Sequence, residues 1–142
     1  MFEKKDFGND SIVIGLISQT LTADGTGAAI DAKDFDATAV LFNIGNSGDT
    51  LSGSVYIECE IQVSDDNSTW TAAADAEVYN PVTGTNTGTV AVINAPAEDS
   101  LLVTGIYRGR DRYVRGVINL TGTHSNGTPC GITYVKTRDK YS

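Results

Sequence analysis

From Val55 to Val63 the chain reads VYIECEIQV, with Val55, Ile57, Cys59, Ile61 and Val63 apolar and Tyr56, Glu58, Glu60 and Gln62 polar or amphipathic between them. Successive side chains of an extended strand leave opposite faces, so this alternation gives one buried and one wet face. A helix would scatter the same residues around its axis. The run breaks at Ser64-Asp65-Asp66-Asn67-Ser68, whose short side chains bond their own backbone and favour turns. Trp70, the only tryptophan, follows and is expected to return to the core of a hairpin.

The remaining segments repeat the pattern. Residues 11–18 and 19–22 read as a first strand, Ala23-Asp24-Gly25-Thr26-Gly27 as a turn, and 28–31 as a short extended piece. Val40, Phe42 and Ile44 share one face of a strand over 38–44. The alanines of 71–80 predict a loop with at most one helical turn. Residues 81–88 form a connector, 89–93 a strand and 95–100 a turn. Residues 101–107 and 112–120 read as a second strong pair, closed into a hairpin by Arg108-Gly109-Arg110-Asp111. In the latter strand Val114, Ile118 and Leu120 share a face with Gly116. Residues 121–129 form a polar loop and 130–136 a final strand.

The chain is 142 residues long, the size of one domain that can bury a core without disulfides or a structural metal. The fold expected is all-β: a single-domain antiparallel β-sandwich, jelly-roll-like, of about eight or nine strands. It divides into an N-terminal arm (1–10), the sandwich (11–136) and a C-terminal tail (137–142). No apolar run approaches a membrane span, and Lys4 and Lys5 are flanked by acids without a following apolar region, against a secretory signal. Such a protein is expected to act where it is made or to leave inside a larger assembly.

Candidate chemistry is thin. Cys59 and Cys130 are the only cysteines and His124 the only histidine, so zinc spacing and a histidine-based triad are both lacking. The cysteines are expected to be free thiols. Asp65, Asp66, Asn67 and Asp75 offer oxygen ligands of the kind calcium takes, but without EF-hand spacing. Side-chain bonds to the turn's own backbone are the simpler account. Adjacent Asp65 and Asp66 make a poor acid/base pair. Gly25 and Gly27 match no phosphate-binding loop. Glycosylation-type triplets at Asn67, Asn119 and Asn126 are expected by chance in a chain rich in Asn and Thr. No cofactor, no metal and no enzymatic activity are expected.

Charge is more informative. Net charge is -8, yet residues 6–99 carry fifteen acidic side chains against one basic, Lys33, while residues 100–142 carry seven basic against two acidic. Arg108, Arg110, Arg112 and Arg115 fall within eight positions. Guanidinium forks pair bidentately with carboxylates. With Lys4, Lys5 and Arg138 they are the candidate protein interface. Overall acidity argues against nucleic acid as the partner.

The series Gln19-Thr20-Leu21-Thr22-Ala23, the strand 36–44, Ser64-Asp65-Asp66-Asn67-Ser68-Thr69-Trp70, then Tyr107 before Arg112-Tyr113-Val114-Arg115 resembles the capsid decoration, cement or head-stabilisation proteins of tailed bacteriophages. The resemblance runs from about residue 12 to 135. It implies a structural virion protein made in the host cytoplasm, bound to the major capsid protein on the outer surface of the head, and self-associating as a homotrimer. Sugar-binding and tail β-domains share the turn-then-Trp arrangement. A carbohydrate- or receptor-binding module of a head fibre, spike or tail is therefore the alternative, and it predicts exposed aromatics at Tyr56, Trp70 or Tyr79.

Overall fold

The computed structural model describes residues 10–95 and 101–138. Among them are β1 (Asp10–Leu21), β2 (Gly25–Thr26), β3 (Ile30–Asp31), β4 (Ala37–Ile44), β5 (Tyr56–Ser64) and β6 (Thr71–Ala72). A 3-10 turn (Asp75–Glu77) then leads to β7 (Val78–Asn80), β8 (Thr85–Asn86), β9 (Thr89–Ile93), β10 (Leu101–Tyr107), β11 (Tyr113–Thr121) and β12 (Thr128–Thr137). The fold is an antiparallel two-sheet sandwich. Twelve strands stand among the described residues where eight or nine were expected, because β2, β6, β7 and β8 are ladders of two or three residues inside segments that read as a turn, a loop or a connector.

The first sheet runs β1-β12-β4-β10-β7-β8; the second runs β2-β11-β5-β6, with β3 also on β11 and β9 also on β5. Alternation sets both inner faces. Ile57, Cys59, Ile61 and Val63 of β5 are buried with Val114 and Ile118 of β11. They face Val40, Phe42 and Ile44 of β4 and Ile132 and Tyr134 of β12. The Tyr134 hydroxyl crosses between the sheets to accept the Gly116 N–H at 2.9 Å, and a side chain at Gly15 or Gly27 would strike that tyrosine.

Two expectations are corrected. The segments 101–107 and 112–120 are not a hairpin pair: β10 joins β4 and β7 in the first sheet, whereas β11 joins β5 in the second. Both are strongly apolar strands separated by a glycine-bearing bend, and periodicity cannot tell a hairpin from a crossing between layers. Trp70 is likewise outside the core. It lies half-buried, its ring 4.2 Å from the Arg115 guanidinium carbon, because Arg115 projects from the outer face of β11.

The outer faces of the sheets differ. On the second, Glu58, Glu60 and Gln62 stand opposite Asn119, Val117 and Arg115. On the first, register aligns Ile12, Val135, Ala39, Ile106 and Tyr79 in one row, and Ile14, Thr133, Leu41 and Thr104 in the next. Neither row contains a charged residue.

Candidate functional site

The connector 108–112 is the crossing from one sheet to the other, and Tyr107 holds it. The Tyr107 side chain is buried, and its hydroxyl accepts the Asp111 N–H at 3.1 Å and donates to Asp111 Oδ2 at 2.9 Å. Glu77 Oε2 lies 3.3 Å from the same hydroxyl, and Arg108 N–H donates to the Glu77 carbonyl at 2.8 Å. Burial, with Asp111 and Glu77 adding to it, pushes the phenol well above its ordinary range. Gly109 is required here, since a Cβ would run into the Glu77 carboxylate and the Tyr107 ring. The segment is therefore a fixed corner.

That corner splits the arginines. Arg110 and Arg112 line a cleft of about 440 Å³ at one end of the sandwich, together with the loop after β3: Lys33, Asp34, Phe35 and Asp36. Arg112 makes a bidentate pair with Asp31, Nη2 to Oδ2 at 2.8 Å and Nε to Oδ1 at 3.1 Å. This pair holds the Asp31 carboxyl down at about 2. From the end of β12, Lys136 and Arg138 lie 4.5 and 4.9 Å from the centre of the Phe35 ring, within cation–π range. Lys136 also donates to the Asp31 carbonyl at 3.1 Å.

Arg108 and Arg115 face elsewhere. Arg108 sits 5.5 Å over the Tyr79 ring on the first-sheet side. Arg115 covers Trp70 and donates twice to Gln62 Oε1, at 2.7 and 2.9 Å. Among the described residues only Arg112 of these arginines is ion-paired with an acid. The four arginines of 108–115 thus do not form one patch. Arg110 and Arg112 converge instead with Arg138, Lys33 and Lys136 around Phe35, a grouping made by β12 ending beside the loop that precedes β4. Lys33, Phe35 and Lys136 were not singled out from sequence, since nothing local links positions a hundred residues apart. Lys4 and Lys5 lie outside the described residues; β1 starts at this same end, Asp10 pairing with Thr137.

The other sequence candidates have structural explanations. Asp66 Oδ1 accepts the Ser68 and Thr69 N–H groups at 2.9 and 2.8 Å and the Ser64 hydroxyl at 2.9 Å. These bonds, the Thr69 amide foremost, lower its pKa, and Asn67 takes the left-handed backbone conformation, φ 59°. The turn is held by its own side chains. Asp65 is hydrogen-bonded to Asp111 and raised by that contact and its charge. Among the described residues no group of three or more His, Cys, Asp or Glu is arranged to hold a metal ion. His124 is buried, its Nε2 donating to the Thr121 carbonyl at 2.9 Å. Cys59 and Cys130 are free and buried; burial pushes Cys130 up to about 11 and Cys59 higher still. No described helix is long and apolar enough to cross a membrane.

No protein-family model matches the chain, and no curated protein matches it. Solved structures do. The SPBc2 prophage-derived protein YomS is similar over 89% of this chain and 93% of its own, at TM-score 0.50 and 15% identity. The PBSX exported protein XepA is similar over 92% of this chain, at TM-score 0.50 and 12% identity. The chain spans 38% of XepA. At these identities the likeness establishes a shared fold.

Proposed function

We propose that the protein is a non-enzymatic structural component of a phage particle that binds the outside of the capsid and strengthens it. One observation carries this reading: an acidic chain gathers Arg110, Arg138, Lys33 and Lys136 at a single end of the sandwich, beside Arg112, which is already paired with Asp31. Arginines on a fixed corner lose little freedom when they pair with carboxylates, so the end suits an acidic patch on a protein lattice. Each bound copy adds its binding free energy to the lattice state it recognises. The acidic remainder of the surface keeps decorated particles apart. The prophage origin of YomS agrees with this reading. A sugar-stacking role is less well supported, because Arg115 occupies a face of Trp70.

The test mixes purified protein with capsids lacking it and images the particles. Ordered density on the shell is expected. The double substitution R110E/R138E should weaken attachment by about tenfold or more, and raised salt should weaken the parent's attachment. Absence of lattice binding together with a glycan-array signal overturns the reading.

A further inference from the structure

Of the six large hydrophobic side chains that stand exposed among the described residues, four are on the first sheet: Ile12 at 66%, Ile14 at 64%, Ile17 at 73% and Leu102 at 55% exposure. Between them lie Leu41 and Ile106, half-buried on the same outer face. From Ile12 across to Tyr79 no Asp, Glu, Lys or Arg takes an outward position in either aligned row. Sandwich sheets with one face in water normally alternate apolar-in and polar-out, and the second sheet does so. A contiguous uncharged apolar face on a chain of net charge -8 marks a contact surface.

We infer that this face packs against the same face of a second copy, sheet on sheet about a two-fold axis. Charge selects the occupant. Arg108 lies over Tyr79 at one edge, but between Ile12 and Ile106 the two rows offer nothing to pair with a charged partner, which would be desolvated against them without compensation. A second copy brings an equally flat and uncharged surface, whereas the charged outer face of the second sheet would set like charges opposite one another. Size agrees. Five strands at ~4.8 Å spacing and three residue pairs at ~6.8 Å span about 24 by 20 Å, hence about 1,000 Å² over both copies. That is the lower end for a specific interface, so a dimer that dissociates on dilution is expected. A two-fold dimer departs from the trimer implied by the family resemblance. The inference is also independent of capsid binding, which uses the end of the sandwich.

Sedimentation velocity of the full chain over about 1–200 µM, without capsids, tests it. A concentration-dependent dimer is expected. Both I14E and L102E should weaken it by at least tenfold, while N119K, on the outer face of β11 in the second sheet opposite Glu58, should leave it unchanged. Thermal unfolding confirms that each variant is folded. A monomer throughout, a trimer, or an oligomer indifferent to I14E and L102E overturns the proposal. Loss of R110E/R138E binding to capsids with the dimer intact would separate the two surfaces.

Discussion

Asp65 and Asp111 come from a hairpin turn and from the inter-sheet connector, and their carboxyl groups meet. Two carboxylates in contact cannot both ionise freely, so Asp65 holds its proton to higher pH than usual, through the hydrogen bond to Asp111 first and its charge second. The sign follows from linkage. A folded-state pKa above the unfolded value contributes stability that is present at low pH and lost as pH rises through it. Asp31 runs the other way: paired with Arg112 and lowered to about 2, it contributes stability present above pH ~4 and lost as pH falls through its folded value. Replacing Asp65 by Asn should therefore raise Tm slightly at pH 7, the contact being solvent-screened, an advantage that shrinks to nothing near pH 3. Melting curves at the two pH values check this; an equal shift at both would mean the contact is not electrostatic.

At the scale of elements, the connector between β10 and β11 ties packing to function. Tyr107 ends β10 with its ring buried, and its hydroxyl fixes Asp111, which lines the cleft, through two hydrogen bonds. Gly109 passes close over that ring. Replacing Gly109 by Val would force the connector outward, at a cost of about 1–3 kcal/mol in unfolding free energy. Because Arg110 moves with it, capsid attachment should fall further than the stability loss alone explains. Urea unfolding and a binding measurement below the transition distinguish the two effects. The strand assignments themselves were legible: β5, β9 and β12 follow from alternation and turn residues. The pairing of β10 with β4 rather than β11 was not, since a five-residue bend serves either connection.

Across the whole molecule, one core joins both sheets. Cys59 lies on β5 and Cys130 on β12, one in each sheet, and both are buried. Their thiols are inert while the sandwich holds, because burial disfavours the thiolate. Labelling of the native protein by a thiol reagent should therefore be negligible and should follow global unfolding, with both cysteines modified at one common rate. Earlier modification of Cys130 would reveal β12 opening separately. Charge is organised at this scale too. Sequence order separates an acidic first part from a basic last part, yet folding lays β12 against β1 and β4 and brings Arg112 onto Asp31. The linear segregation becomes one mixed-charge end.

The turn after Val55–Val63 was explained in advance by its residue types, as was the inward face of Ile57, Cys59 and Ile61. Side-chain alternation and local hydrogen bonding act over a few residues, and a sequence records them directly. Which strands share a sheet depends instead on contacts between distant positions. The partner of Trp70 is Arg115, and the neighbours of Phe35 are Lys136 and Arg138. The uncharged rows across β1, β12, β4 and β10 exist only once those strands are side by side. Periodicity determined that this chain is a β-sandwich, and tertiary pairing decided which of its faces are free to meet a partner.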